Sequence, residues 1–246
     1  MKYIQTILMA SCSIGFLLQG LSGVAIASPM APSSWTQWGS GAWSRTSDQA
    51  TVTQTVNGSQ TYLVSTATYG NTHFEGKLRV TANGDDDYIG LVFGATGNTD
   101  FFLFDWKMGY QSGAQEGFTL SRISGSSVNY WYHSGSDIQV LATDYGPSTG
   151  WEYNTGYTIT LDYTTTGIAI AIDGTSIFSL TGMNNNPDGH FGFYNYSQTQ
   201  ATYQGFVQDR IRTNRAPAPV PEPATILLFG TGLLGLAFFS RKRIQK

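Results

Sequence analysis

The feature that most constrains this chain is a shortage of helix-forming residues across positions 35–215. That stretch contains 2 Lys, 3 Glu and 8 Leu, whereas Thr, Tyr, Phe and Val recur throughout it. Lys, Glu, Leu and Ala build most exposed helix faces, while β-branched and aromatic residues favour strands. The stretch is long enough to bury a sizeable core within one domain. Its composition therefore predicts one all-β domain.

The charge of the same stretch limits its partners. It holds 8 basic and 15 acidic residues, which give a net charge of −7. Such a surface repels phosphate backbones and attracts divalent cations, so we expect no nucleic-acid partner. The only cysteine of the chain, Cys12, lies in a hydrophobic N-terminal stretch. A domain that lacks thiols and disulfides must be held together by packing or by metal.

The N-terminus has the pattern of an export signal. Residues 1–27 contain a positive charge at Lys2, an apolar run and the sequence Ala25-Ile26-Ala27. These are the charged region, the hydrophobic region and the small-residue cleavage site of a secretory signal peptide. We expect cleavage after Ala27 and a short leader over 28–34. An uncleaved membrane anchor is the alternative.

The C-terminus has a second hydrophobic segment with different flanks. A Pro-rich linker over 216–223 leads into residues 224–240, which are 17 uncharged residues. This length is at the short limit of a membrane-spanning helix, about 17–25 residues. By the positive-inside rule we expect the tail over 241–246 to stay cytoplasmic, because it opens with three basic residues, Arg241, Lys242 and Arg243.

The linker, the apolar segment and the basic tail together carry a recognisable signature. Val220-Pro221-Glu222-Pro223, a short apolar helix and an Arg-rich cluster resemble the PEP-CTERM sorting signal of Gram-negative bacteria. The resemblance implies that an exosortase, a membrane protease, recognises Val220, Pro221, Glu222 and Pro223 and removes the anchor. The domain would then be held only transiently in the inner membrane before it reaches the cell surface or the extracellular matrix. An ordinary single-pass anchor is the alternative.

Alternating apolar and polar residues recur between turn signals throughout the middle of the chain. In one such segment Phe102, Phe104 and Trp106 share a face, and Asp173-Gly174 later marks a hairpin turn. The predicted strands cover residues 50–56, 61–67, 74–80, 88–94, 101–107, 117–123, 157–163, 168–172, 175–180, 190–196 and 203–211. Burying one face of each strand requires two packed sheets, so the pattern predicts a two-sheet jelly-roll sandwich.

Three adjacent aspartates, Asp85, Asp86 and Asp87, are predicted to lie on a turn between two strands. Neighbouring carboxylates repel one another, and they are best accommodated by solvent or by a hard cation with oxygen ligands. The sequence is not an EF-hand, because Ile89 stands where that loop needs an oxygen ligand and Thr96 stands where it needs a glutamate. Calcium binding is therefore one interpretation, and a solvated acidic turn is the other.

Short motifs spread over most of positions 35–215 carry a second resemblance. They are Gln54-Thr55, Phe74-Glu75-Gly76, Asp85-Asp86-Asp87-Tyr88, Gly90, Val92-Phe93-Gly94, Trp106-Lys107, Gly150-Trp151, Thr155-Gly156-Tyr157, Gly189-His190-Phe191-Gly192-Phe193 and Ser197-Gln198. Together they resemble the C-terminal, lectin-like domain of thrombospondins. The resemblance implies a jelly roll of the concanavalin A-like lectin type and a role in adhesion or other extracellular contact. It also implies calcium at the loop edges, with Asp85, Asp86 and Asp87 as the ligands.

An enzyme on this fold would need paired carboxylates. Glycosidases place two of them about 5–9.5 Å apart, but no predicted strand carries two acids at i, i+2 spacing. The three glutamates of residues 35–215 are isolated in sequence, at Glu75, Glu116 and Glu152. The three histidines form no metal-binding pair, at His73, His133 and His190. We therefore expect a protein that is not an enzyme.

These observations predict an exported surface or matrix protein with Ca²⁺ as its cofactor. We expect it to act in adhesion or to bind extracellular polysaccharide or matrix proteins. One alternative is a structural, self-assembling matrix component, and another is a polysaccharide-active enzyme. The aromatic clusters Tyr130-Trp131-Tyr132 and Tyr194-Asn195-Tyr196 would either stack on sugars or fill the core and its rim.

Overall fold

The computed structural model describes residues 27–82 and 84–211, and this part of the chain is built almost entirely from strands. Fifteen strands and one 3₁₀ helix (η1, Pro32–Ser34) follow one another along it. This part contains no helix that is long and apolar enough to cross a membrane. Several predicted segments lie outside the described residues. They are the predicted signal peptide over 1–27 except Ala27, the linker with its sorting motif, the apolar segment 224–240 and the basic tail.

The strands have the following bounds. They are β1 (Ser28–Pro29), β2 (Thr36–Gly39), β3 (Trp43–Arg45), β4 (Thr51–Gln54), β5 (Thr61–Tyr69), β6 (Thr72–Val80), β7 (Tyr88–Gly97), β8 (Asp100–Lys107), β9 (Gly117–Ser124), β10 (Ile138–Tyr145), β11 (Gly156–Thr164), β12 (Gly167–Ile172), β13 (Thr175–Thr181), β14 (Gly189–Tyr196) and β15 (Ala201–Arg210).

Two antiparallel sheets form a sandwich, so the predicted all-β, two-sheet fold is confirmed. Sheet A has the strand order β13-β12-β11-β6-β15-β4-β3, with β1 added beside β15. Sheet B has the order β10-β9-β8-β7-β14-β5-β2. Strands that are distant in sequence become neighbours in both sheets, and loops from different parts of the chain therefore meet at the same edge of the sandwich.

Aromatic rings fill the space between the two sheets. Phe74 of sheet A stacks on Phe191 of sheet B with ring centroids 4.2 Å apart, and Tyr203 stacks on Phe193 at 4.5 Å. All four side chains are at most 1% exposed. Because full burial of one such side chain contributes roughly 1.5–3 kcal/mol, this layer carries much of the stability of the domain.

The outer face of sheet B is also buried, which corrects the prediction of one buried face per strand. In β8 the residues Phe102, Phe104 and Trp106 face the inter-sheet core, as predicted, but Phe101 and Leu103 on the other face are equally buried. Residues 125–137, here called the cap segment, fold over this outer face and bring Val128, Tyr130 and Trp131 against it. The alternation is preserved, but an irregular segment supplies a second apolar layer.

The strands that the sequence pattern missed are short or lie at sheet edges. β2 and β3 have four and three residues and are the last strands of their sheets. β10 is the opposite edge of sheet B, and a bulge between Val140 and Ala142 interrupts its register. An edge strand that is mostly exposed and irregular has no clean period-2 pattern, so the sequence does not reveal it.

The segment over 28–34, assigned to a leader, contributes to the sandwich in the structure. Ser28 pairs with Gln208, and Pro29 pairs with Val207 of β15. Met30 is 7% exposed and packs into the inter-sheet core. The described sandwich therefore begins directly after Ala27, the residue at which we predict signal-peptide cleavage.

Candidate functional site

The aspartate triad (Asp85, Asp86 and Asp87) forms the turn that connects β6 to β7. One carboxylate oxygen from each residue lies within 4.8 Å of the others. The turn is only partly solvated, because the Asp87 side chain is 5% exposed and that of Asp86 is 34% exposed. Repulsion between carboxylates this close is relieved by positive charge nearby or by protonation of one of them.

A fully buried lysine supplies part of that charge. Lys107, at the end of β8, pairs in register with Tyr88 and has a side chain that is 0% exposed. Its ammonium donates hydrogen bonds to Asp87 Oδ1 at 2.8 Å, to Asp86 Oδ1 at 3.2 Å and to the Asp86 carbonyl at 3.0 Å. The ring of Trp131 from the cap segment has its centroid 4.9 Å from the same nitrogen. This cation–π contact adds to the stabilisation of the buried charge.

Side chains from three other parts of the chain fix the backbone of the turn and one of its carboxylates. Trp151 Nε1 donates to the Asp87 carbonyl at 3.1 Å, and the Tyr153 hydroxyl donates to the Asp85 carbonyl at 2.5 Å. The Asp87 amide donates to Gln198 Oε1 at 2.9 Å. Asn57 Nδ2 donates to Asp85 Oδ2 at 2.5 Å. Hydrogen bonds from the surrounding side chains thus hold the turn in place, as a binding site requires.

One ammonium does not neutralise three carboxylates, and the effect is seen at Asp85. Burial, a hydrogen bond with Asp87 and the charges of Asp87 and Asp86 raise the pKa of the Asp85 carboxyl to about 6. An acid whose pKa rises on folding resists ionisation in the folded state. Its ionisation therefore lowers the stability of the domain as pH rises from about 4, the unfolded value, through 6.

The donor set fits a hard divalent cation. All of its side-chain donors are oxygens of Asp85, Asp86 and Asp87, and calcium takes six to eight oxygen ligands in flexible geometry. Three carboxylates carry more negative charge than the single ammonium of Lys107 can neutralise, and a divalent cation would neutralise the remainder. The structure thus brings the three predicted ligands together and supplies a reason for a cation to bind among them.

Lys107 was missed in the sequence, although a signal for it was present. It is one of only two lysines over residues 35–215 and follows Phe101, Leu103 and Asp105 along one face of a strand. A lysine on a buried strand face needs a buried counter-charge, since lone buried charges are strongly disfavoured. The identity of that partner depends on the β7–β8 register, which no sequence pattern reveals.

The three glutamates do not form a site with one another. Glu75 is exposed on β6, and Glu152 is exposed in the loop before β11. Glu116 Oε1 accepts hydrogen bonds from the amides of Ser148 and Gly150 at 2.6 and 3.2 Å. Glu116 therefore holds a loop together.

One histidine has a clear structural role on the outer face of sheet B. His133 Nε2 of the cap segment lies 2.8 Å from Asp105 Oδ2 of β8. Burial lowers the pKa of His133, but the charge and hydrogen bond of Asp105 outweigh it, and the net pKa is raised. The pair ties the cap segment to the sheet.

Most of the clustered aromatic residues pack in the second apolar layer. Tyr194 is 0% exposed, and Tyr130, Trp131 and Tyr196 are partly buried against it and its neighbours. Tyr132 differs, because it is 54% exposed. Of the two interpretations offered for these clusters, core packing holds for Tyr194, and Tyr132 has the exposed ring that sugar stacking requires.

Two family models match this sequence. The model described as thrombospondin C-terminal region matches residues 39–209, and the model of the PEP-CTERM protein-sorting motif matches residues 219–243. Both predicted resemblances are therefore confirmed. Cartilage oligomeric matrix protein of Rattus norvegicus is 26% identical over 124 residues, which cover 43% of this chain and 16% of that protein. The same identity and coverage hold for the protein of Bos taurus.

Solved structures with the same sandwich are more distant in sequence. The carbohydrate-binding module CBM66 from Bacillus subtilis has a TM-score of 0.54 at 14% identity, and the alignment covers 71% of this chain and 94% of the module. The exoplasmic/lumenal domain of VIP36, in a Ca²⁺/Man-bound form, has a TM-score of 0.52 at 12% identity. The alignment covers 74% of this chain and 85% of the VIP36 domain. At such identities the likeness shows the fold alone.

Proposed function

The chain belongs to the thrombospondin C-terminal region family, and on that basis we propose that it is a calcium-stabilised, lectin-like binding protein of the cell exterior. Its sandwich would bind extracellular polysaccharide or matrix proteins and so serve in adhesion. We further propose that it performs no catalysis.

The observation that carries this proposal is the charge balance of the aspartate triad. Three carboxylates converge within 4.8 Å, and the ammonium of Lys107 bonds to two of them, those of Asp86 and Asp87. When bound, calcium would supply positive charge and oxygen coordination, and Asp85, Asp86 and Asp87 would hold it. The site lies at the edge of the sandwich, where it would stiffen the loops that surround it.

Export is supported by the sorting motif. The PEP-CTERM match indicates an exported protein of a Gram-negative bacterium with a C-terminal membrane anchor. We propose that an exosortase removes this anchor and delivers the domain to the surface or matrix. Cleavage after Ala27 is compatible with the fold, because Ser28 is the first residue of β1.

Two observations support a binding role without catalysis. The glutamates Glu75, Glu116 and Glu152 do not converge, and Glu116 is engaged with backbone amides. Two structures with the same fold are described as a carbohydrate-binding module and as a Ca²⁺/Man-bound domain. These descriptions guide the choice of saccharides as the ligand class.

The binding function is tested by retention of the protein on immobilised polysaccharides. We expect the full chain to be retained on at least one of a panel of neutral and acidic bacterial polysaccharides, and to be released by a calcium chelator. Asp85→Asn should reproduce the effect of the chelator because it removes one ligand. Asp188→Asn, at an exposed aspartate outside the triad, is the matched control and should bind normally. Retention that is unchanged by the chelator would contradict a calcium-dependent function.

The sorting step is tested by changing the motif itself. Replacing Pro221, Glu222 and Pro223 with alanine should leave nearly all of the chain in the membrane fraction, because the protease could no longer recognise the site before the anchor. The control is Pro217→Ala, which alters a linker proline outside the matched motif. Cell fractionation followed by immunoblotting measures the outcome. Normal release of the triple variant would refute exosortase processing.

A further inference from the structure

The outer face of sheet B carries a row of residues that runs across four strands. Thr119 of β9 pairs with Asp105 of β8, Asp105 pairs with Gly90 of β7, and Gly90 pairs with Tyr194 of β14. Directly paired residues point to the same face of a sheet. Because Gly90 has no side chain, no side chain of this row separates Asp105 from Tyr194. Ser121 lies on the same face, one step further along β9.

Three buried polar atoms on this face have no hydrogen-bond partner within the described residues. They are Asp105 Oδ1, Ser121 Oγ and the Tyr194 hydroxyl oxygen, three of six such atoms in the described part of the chain. All three residues are 0% exposed. A buried polar group without a partner weakens the fold. A single face that keeps three of them is suited to accept partners from outside the chain.

The β10 side of this face is open to solvent. Val140, which pairs with Ser121, is 41% exposed, and Tyr145 is 38% exposed. The Tyr145 hydroxyl lies 2.8 Å from Thr119 Oγ1, so the tyrosine side chain lies over the polar row from this side. A ligand that reaches the row from this side would have to displace the Tyr145 ring and break this hydrogen bond. Tyr132 of the cap segment adds a further exposed ring.

We propose that this face, between the cap segment and β10, is a binding site for a neutral saccharide unit. The inference rests on the proposed function and gives it a location separate from the aspartate triad. A sugar ring has hydroxyl groups on its edge and apolar C–H groups on its faces. Its hydroxyls would bond to Asp105 Oδ1 and Ser121 Oγ, and its apolar face would pack on exposed rings such as that of Tyr145.

The chemistry of the row favours a hydroxyl-rich ligand over a metal ion or an anion. Asp105 is the only carboxylate in the row, and its second oxygen is already bonded to His133, so the row lacks the several oxygen charges that a metal requires. A free carboxylate oxygen accepts a hydrogen bond and repels an anion. A hydroxyl can donate to that oxygen and both donate to and accept from the serine hydroxyl.

The test uses the full chain, purified in lauryldimethylamine oxide because that detergent contains no sugar. Hexasaccharides of glucose, galactose, mannose and xylose are titrated in calcium and followed by calorimetry. We expect at least one of them to bind, and Ser121→Ala and Asp105→Asn each to weaken its association at least tenfold. The matched control is Ser65→Ala, because the Ser65 hydroxyl is buried but already partnered, donating to the Ala67 carbonyl at 2.7 Å and accepting from the Phe191 amide at 3.0 Å.

The control should show the opposite pattern in both measurements. Ser65→Ala should keep its affinity and lower the melting temperature, whereas Ser121→Ala should lose affinity without lowering the melting temperature of the free protein, because its hydroxyl has no partner to lose. The site would be overturned if the wild type and both variants, Ser121→Ala and Asp105→Asn, bound the saccharide with equal affinity. It would also be overturned if Ser121→Ala had a lower melting temperature than the wild type. If saccharides bind but those variants have no effect, the proposed function stands and the site is refuted. If no saccharide binds in this titration or in the polysaccharide panel, the saccharide function fails and the site with it.

Discussion

Replacing Lys107 with methionine should lower the free energy of unfolding by about 3–5 kcal/mol, the range found when one partner of a buried ion pair is removed. Methionine keeps the length of the lysine stem and its apolar packing, so the change isolates the loss of the charge. The Asp87 side chain, 5% exposed, would lose its hydrogen bond and its counter-ion together. Denaturant unfolding of the full chain in the presence of a calcium chelator measures the effect.

Two further variants make this result specific. Lys77→Met alters the other lysine of the domain, which is exposed on β6 and should cost at most about 0.5 kcal/mol, as surface substitutions usually do. Asp87→Asn in the Lys107→Met background should recover part of the lost stability, because it removes the uncompensated charge. If Lys107→Met behaves like Lys77→Met, the ammonium does not hold the turn.

The regular part of the fold could be predicted from sequence because strand periodicity is a local property. Phe102, Phe104 and Trp106 alternate with other residues over seven positions, and the structure places them in the core between the sheets. The cap segment could not be predicted in this way. It is irregular, and it covers the outer face of sheet B through long-range contacts such as that between His133 and Asp105. No local pattern encodes a contact of that kind.

The candidate metal site was predictable in its ligands but not in its surroundings. The three aspartates are adjacent in sequence, so their proximity requires no knowledge of the fold. The same turn is contacted by Lys107 of β8, by Trp151 of the loop before β11 and by Gln198 of the loop after β14. These contacts form only because the three parts of the chain meet at one edge of the sandwich. Lys107 neutralises part of the carboxylate charge, whereas Trp151 and Gln198 hold the backbone of the turn. Only the folded sandwich places all three there.

Saturating calcium, at about 100 times its dissociation constant, should raise the free energy of unfolding by about 2.7 kcal/mol if the ion binds only the folded chain. For a domain of this size that corresponds to an increase of about 5–10 °C in melting temperature. The physical reason is that the cation neutralises carboxylates that repel one another, a repulsion that contributes to the raised pKa of Asp85. Thermal unfolding of the full chain with calcium, and after chelation, measures the shift.

Asp85→Asn distinguishes a metal site from a turn that is merely acidic. Burial and the neighbouring carboxylates raise the pKa of Asp85 to about 6, so its charge opposes folding at neutral pH when no cation is bound. The variant should therefore melt at the same or a higher temperature than the wild type in chelator, and it should lose most of its response to calcium. Asp188→Asn should keep the full response. A calcium shift that survives in Asp85→Asn would place the ion elsewhere, and a wild-type melting temperature unchanged by calcium would show that Lys107 and solvent suffice to hold the triad.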